Sequence, residues 1–339
     1  MLESSFPSHR LILKCVALIK LKAGCVFLFV PLLGTCSIIL THHFTLLLQN
    51  RHLLLAIYSS NILLNFDRYD TSLPYSSKKT ALKPIVLSLS GHDPTGGAGI
   101  QADAEVLTHF GCHPCSILTC LTVQDSNTVQ RLMPLDAERI TEQAHVLFND
   151  MPIAVIKIGL TGSVNVVNAI VEILKSHPDI PVVFDPVLAC GDGTSLANTE
   201  LIHVIKDTLI PLATVLTPNT VEAAQLSGRV RTTSTAELGL DLLAQGAHYV
   251  LITGGHESTA TIKNSLFHDK QIRRTSAWPR QAGEFHGTGC TLASAIAALM
   301  AKGHAIADSI ELAQEYVDKA IKQANQLGRG QAFPERNLR

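Results

Sequence analysis

The signatures that most often announce ATP chemistry are missing from this chain. No G-x-x-x-x-G-K-[ST] loop occurs, and neither an H-R-D nor a D-F-G motif. Any phosphate handled here must meet another kind of site. Charge is also scarce. Only 16% of the 339 residues are charged and the net charge is −1, so no basic stripe serves nucleic acid and no acidic tail acts as a solvating arm. Cys112-His113-Pro114-Cys115 has no second C-x-x-C to complete a zinc site. That pair, among eight cysteines, reads as ordinary buried thiols of a reducing compartment. Apolar residues, at 46%, are enough for a sizeable core.

The first eighty residues differ from the rest. Ala23 to Asn50 contains no Asp, Glu, Lys or Arg, a length that would span a bilayer as a helix. Lys14, Lys20 and Lys22 precede this run, as in an anchor or signal, while Pro31, Gly34, His42 and His43 interrupt it. A polar linker, Ser72 to Lys83, follows. Residues 1–80 are therefore read as an apolar N-terminal extension, with a membrane anchor and a signal peptide as alternatives. Residues 81–330 form the globular domain and 331–339 a C-terminal tail.

From Ile85 onward, short β-branched runs alternate with amphipathic stretches. Strands are expected at 85–90, 116–123, 153–159, 181–185, 213–217 and 248–253, and helices at about 98–110, 136–149, 163–176, 289–302 and 307–325. Continuous apolar strands mean burial on both faces, hence a mainly parallel sheet between helix layers. Residues 263–276 read as a hairpin turning at Asp269-Lys270. The fold class is an α/β/α sandwich, with ligands at the carboxyl ends of its strands.

Three loops at those ends are candidates for chemistry. Gly91 to Asp103, "GHDPTGGAGIQAD", contains a dinucleotide-like G-x-G-x-x-A, but six residues separate the strand end at Ser90 from Gly97, too many for that tight turn. A substrate lid or floor fits better. "TPNTVEA", Thr217 to Ala223, places Asn219 and Glu222 on one helical turn, where they suit a hydrated magnesium ion, a capping box, or both. Gly287-Thr288-Gly289-Cys290 opens an apolar helix with core positions Leu292, Ala295, Ile296 and Leu299. Free N–H groups and bare glycines there make an anion hole for a transferring phosphoryl group; a simple capped helix is the plainer reading.

"SGHDPTGGAGIQAD", "TPN..EA" and "HGTGCTL", in this order, resemble the ribokinase-like superfamily. Within it they resemble the hydroxymethylpyrimidine/phosphomethylpyrimidine kinases of thiamine biosynthesis, over roughly Ile85 to Leu327. Cysteine at 290, where other superfamily members carry aspartate, marks that group. The resemblance implies a ribokinase-like fold, ATP with Mg2+, and two successive phosphorylations of 4-amino-5-hydroxymethyl-2-methylpyrimidine. It implies Gln124, Gly91, Asp103 and Val187 on the pyrimidine, and Asn219, Glu222, Thr253, Gly254, Gly255 and Asp185 around nucleotide and metal, with Glu222 reaching Mg2+ through water. Cys290 becomes the general base beside Gly287, Thr288 and Gly289, its thiol pKa lowered from about 8.5 by the helix N-terminus. A cytoplasmic homodimer with no nucleic-acid partner is the expected setting. The chain departs from the family pattern in "LACGDG", Leu188 to Gly193, and at Thr253, positions where lysines are frequent. Pyridoxal or another vitamin kinase, and a non-catalytic pyrimidine sensor, are the competing readings.

Overall fold

The computed structural model describes residues 83–190, 193–255 and 259–338 with their side chains, and in the first eighty residues only the pairing of short strands. The chain divides into two compact units, Met1–Thr80 and Ala81–Arg339. In the first unit Val16–Leu21 pairs antiparallel with Gly24–Phe29, and Ser37–Leu40, Phe44–Gln49, His52–Ile57 and Leu63–Asn65 form an antiparallel set. Of the stretch Ala23 to Asn50 that carries the anchor and signal readings, Gly24–Phe29, Ser37–Leu40 and Phe44–Gln49 are strands, and the rest lies outside the described residues. Among the described residues no helix is long and apolar enough to cross a membrane.

The second unit runs β1 (Ile85–His92), α1 (Gly99–His109), β2 (His113–Gln124), β3 (Val129–Pro134), α2 (Ala137–Asp150), β4 (Ile153–Ile158), α3 (Val164–Ser176) and β5 (Val182–Phe184). It continues with α4 (Thr199–Val204), β6 (Val215–Leu216), α5 (Thr220–Ser227), α6 (Thr235–Ala244), β7 (Tyr249–Ile252), β8 (Thr261–His268), β9 (Gln271–Pro279), α7 (Thr288–Ala301) and α8 (Ile306–Lys322). The nine strands form one sheet in the order β9-β8-β7-β6-β5-β4-β1-β2-β3. The six from β7 to β2 are parallel, and β8, β9 and β3 are antiparallel additions at the edges.

Adjacent strand residues explain the layers. Leu87, Ile156, Val182, Leu216 and Val250 join the core beneath α2, α3, α5 and α6, while their neighbours Val86, Val155, Val183, Val215 and Leu251 join the core beneath α1, α7 and α8. A strand that must satisfy two cores cannot alternate with polar residues, which is why these runs are uniformly apolar. The β8–β9 turn falls at Asp269 and Lys270, both at positive φ, as the hairpin reading expected. β3 had no counterpart in the expected elements: its "VQRLMP" is half-exposed and lacks a clean period.

Two differences matter for the site. Helix α7 is buried on every side from Cys290 to Leu299, not on one stripe, because Ala293, Ser294, Ala297 and Ala298 are small enough to admit the sheet, α1 and α8 together. Residues 331–338 are no free tail. Phe333 and Arg336 are buried, Ala332 bridges Phe285, and Tyr316 Oη donates to the Arg336 carbonyl at 2.5 Å. The Arg336 guanidinium donates to the carbonyls of Gly96 and Gly97, to Thr291 Oγ1 at 3.0 Å and to Glu105 at 3.0 Å. It ties the glycine-rich loop to the first turn of α7.

Candidate active site

The chain leaves β1 toward β2 on one side and later returns to β4 on the other, so a crevice opens at the carboxyl ends of β1 and β4. A cavity of about 890 Å³ lies there, lined by Gly91, Gln124, Asp185, Val187, Asn219, Glu222, Thr253, Gly254 and the turn Gly287–Cys290, among others. Three loops that were separate in sequence thus share one wall.

Two glycines allow the loops to meet. Gly287, the N-cap of α7, has φ +77°, and a Cβ there would overlap the Gly97 carbonyl and lie 2.9 Å from the Arg336 guanidinium. Gly99 has φ +62°, and a Cβ would overlap the Gly91 carbonyl. Asp93 knots the glycine-rich loop. Its Oδ1 accepts from Thr95 N (2.8 Å) and Thr95 Oγ1 (2.7 Å), and its Oδ2 accepts from Ala98 N (2.8 Å) and lies 2.7 Å from His286 Nε2. Burial works against the Asp93 carboxylate, but the bonds from His286 and Thr95 outweigh it and hold its pKa below the ordinary value. The loop is therefore a fixed floor, not a dinucleotide turn.

Cys290 is buried on the cavity wall with the Gly99 N–H directed at its sulfur. Here the expected low pKa fails. Burial pushes the thiol up to about 12; Lys157 pulls it down, while Asp185 and Asp103 push it further up. The helix N-terminus does not overcome burial beside two carboxylates, so the resting sulfur is a neutral thiol. Asp185 lies beside the sulfur, and the thiol favours the ionised form of its carboxyl. Burial raises the Asp185 carboxyl to about 6 against the opposing pull of Lys157, and its Oδ2 has no protein partner.

Glu222 and Asn219 form the capping box of α5. Asn219 Oδ1 accepts from the N–H groups of Val221 and Glu222, both at 2.9 Å, and Glu222 Oε2 accepts from Asn219 N at 2.9 Å. Glu222 Oε1 accepts from Leu188 N at 3.3 Å. Burial, then repulsion from Asp185, raises the Glu222 carboxyl to about 8.

Two assignments need correction. Asp103 does not reach the pyrimidine side of the cavity. It is fully buried behind the wall, accepting from Ser88 Oγ (2.6 Å), Ser294 Oγ (2.7 Å) and Lys157 Nζ (2.8 and 2.9 Å). Gly255 is not part of the lining; its carbonyl accepts from Arg280 at 3.0 Å, and the Gly254 N–H is taken by Asn264 Oδ1 at 3.1 Å. Gly191, in the segment that departs from the family pattern, lies outside the described residues. His286, which as a sequence offered only a possible cap for α7, makes no cap there and touches Gln124 Nε2 at 3.3 Å; the cavity arginines Arg229, Arg231 and Arg280 had no place in the expected site. An Asp-x-Thr turn signal at Asp93 and Thr95 was legible; the arginines carry no motif.

Comparison with known proteins agrees with this geometry. The family model described as phosphomethylpyrimidine kinase matches residues 93–334. The hydroxymethylpyrimidine/phosphomethylpyrimidine kinase of Streptomyces coelicolor is 37% identical over 251 residues, 73% of this chain and 92% of that protein. Among solved structures, the phosphomethylpyrimidine kinase of Clostridium difficile 630 aligns with a TM-score of 0.62 at 30% identity, covering 70% of this chain and all of that one. The Bacillus subtilis pyridoxal kinase, solved as an ADP complex, aligns with a TM-score of 0.67 at 27% identity, covering 75% and 97%. The fold is thus the ribokinase-like α/β sandwich, and the chain belongs to the phosphomethylpyrimidine kinase family.

Proposed function

We propose that this kinase transfers the γ-phosphoryl group of ATP to the hydroxymethyl group of 4-amino-5-hydroxymethyl-2-methylpyrimidine and then phosphorylates the monophosphate, in thiamine biosynthesis. The observation that carries this reading is the convergence of Gln124, the Gly287–Cys290 turn and the Asn219–Glu222 cap on one cavity. Gln124 supplies a donor and an acceptor for an aminopyrimidine edge, with Gly91 and Val187 on the same wall. The α7 N-terminus faces the developing phosphoryl charge, and Arg231 and Arg280, with Arg229 paired to Asp241, bring positive charge to the cavity lining. Each Glu222 oxygen accepts one backbone N–H, which fixes the carboxyl in place and leaves a lone pair on each for a water of hydrated Mg2+. Mg2+ so held would offset phosphate charge, and its presence would favour the ionised form of a carboxyl that burial otherwise keeps protonated.

The proton path follows from the two shifted groups. At neutral pH Asp185, with its pKa near 6, is mostly ionised and lies beside the Cys290 thiol. As the substrate oxygen bonds to phosphorus, its proton passes to sulfur and the thiol proton passes to Asp185. The P–O bond to ADP breaks, and ADP keeps the electron pair. Asp185 must be ionised for this, so kcat/KM for the pyrimidine, measured at saturating MgATP, should fall about tenfold per pH unit below a midpoint near 6. Asp185→Asn should lose that limb. A midpoint near 8.5 would instead return the base to a free thiol.

Pyridoxal is the second substrate to test, because the pyridoxal kinase comparison gives the higher of the two TM-scores quoted. Steady-state turnover with each compound separates them: the pyrimidine should be the better substrate. Gln124→Leu leaves the ring's polar edge unpaired, a loss of about 1–3 kcal/mol. It should raise KM for the pyrimidine and leave KM for ATP within twofold. Equal losses for both would make Gln124 structural.

We also place the activity in residues 81–338 alone, in a cytoplasmic homodimer, with residues 1–80 dispensable. A chain starting at Lys83 should match the full chain in kcat and KM; a folded but inactive product would overturn this.

A further inference from the structure

A buried ion pair lies behind the catalytic wall, and the proton path above does not use it. Lys157 on β4 is fully buried, and its ammonium donates to both Asp103 oxygens (2.8 and 2.9 Å) and to Ser90 Oγ (3.0 Å). The ammonium sits under Gly159, where a Cβ would lie 2.8 Å from Nζ, at the cavity end of β4. Asp103 on α1 accepts in addition from Ser88 on β1 and from Ser294 on α7. Ser294 is one turn beyond Cys290, so the pair is anchored to the face of α7 that carries the thiol. A fully buried ion pair is a poor way to gain stability, because desolvation cancels most of its attraction. Here every donor of the ammonium is placed, on elements that all converge beneath one thiol.

We propose that Lys157 is a positioning residue for phosphoryl transfer: held by Asp103, its ammonium is the fixed positive charge behind the first turn of α7 that lets Cys290 release its proton. The inference rests on the catalytic reading of that cavity. The groups that act on Cys290 are Lys157 from β4, Asp103 and the Gly99 N–H from α1, and Asp185 from the end of β5. Lys157 is the one cation in that set, and two carboxylates oppose it. Burial works against the ammonium itself, but Asp103, Cys290 and Asp185 outweigh that and keep it protonated.

The charges have opposite signs, so their removal must act in opposite directions. The probe is iodoacetamide, with the Cys290 peptide followed by mass spectrometry between pH 7 and 10.5 and folding checked by circular dichroism. Lys157→Met leaves Asp103 unopposed and should slow Cys290 labelling at least tenfold at a given pH. Asp103→Asn should speed it. The double variant, neutral and still able to accept from Ser88 and Ser294, should return to within about threefold of the parent. In Lys157→Met, kcat should fall with the labelling rate while both KM values stay within threefold. A folded Lys157→Met with the parent's labelling profile overturns the proposal, as does a double variant as slow as the single. If Lys157→Met does not fold, the Asp103→Asn variant decides: faster labelling supports the proposal and an unchanged rate overturns it. If labelling shifts as expected but no form of the protein phosphorylates the pyrimidine, the charge relation stands and the proposed substrate falls.

Discussion

Cys290→Ala should lower kcat by about 10²–10⁴-fold while leaving KM for both substrates nearly unchanged. The substitution removes the sulfur proposed to take the hydroxyl proton and deletes little volume from the cavity wall. The anion hole, the Asp93 knot and Gln124 stay in place, so binding survives. Cys290→Asp should recover part of the rate, because a carboxylate in that place can take the proton directly. Its acid limb should lie above the parent's midpoint near 6, because burial and the neighbouring Asp185 and Asp103 disfavour a further carboxylate at that position. Rapid-quench measurement of a single turnover separates the chemical step from product release. A fully active alanine variant would make Cys290 a packing residue.

The other large effect is expected at Gly287. Alanine there must adopt φ near +77° and place its Cβ against the Gly97 carbonyl and the Arg336 guanidinium. The left-handed conformation alone costs about 1–2 kcal/mol. The overlap with backbone is worse, because Gly97 is itself pinned by Arg336 and by Thr95 Oγ1, 3.1 Å from its N–H. Gly287→Ala should therefore displace the glycine-rich loop from α7, with a large loss of kcat/KM and a lower midpoint of urea unfolding. Gly303→Ala offers a control: it too has positive φ, but a Cβ there meets nothing within 4 Å. It should pay the conformational cost without losing turnover. Equal activity losses in the two variants would mean that backbone strain, not closure of the loop on α7, governs the site.

The parts of this site legible in the sequence were those written locally. The spacing of Gly287, Gly289 and Cys290 before an apolar run announces a bare helix N-terminus, and Asn219 and Glu222 announce a capping box. The parallel sheet was legible because a strand buried on two faces cannot hide its composition. Its short strands were overextended, as with β6, whose apolar run outlasts its two paired residues. What was not legible depends on distant partners. Lys157 and Asp103 are 54 positions apart, and Arg336 closes on residues some 240 positions upstream. Nothing near Arg336 in the sequence says that it is buried.

The proton affinity of Cys290 was misjudged for the same reason. The helix end that lowers it is local, whereas the burial and carboxylates that raise it come from α1, β5 and the packing of α7. Asp103 shows the converse error. A carboxylate next to a glycine-rich loop suggests ligand binding, yet four side-chain hydrogen bonds turn it inward.

The central claim is that one cavity phosphorylates a hydroxymethylpyrimidine. The most direct measurement is the phosphorus NMR spectrum of the purified chain with MgATP and 4-amino-5-hydroxymethyl-2-methylpyrimidine. The account predicts a phosphomonoester resonance that grows as ADP appears, followed by the paired resonances of a diphosphate ester. ADP formation without any phosphorylated pyrimidine, or phosphorylation of pyridoxal alone, would contradict it.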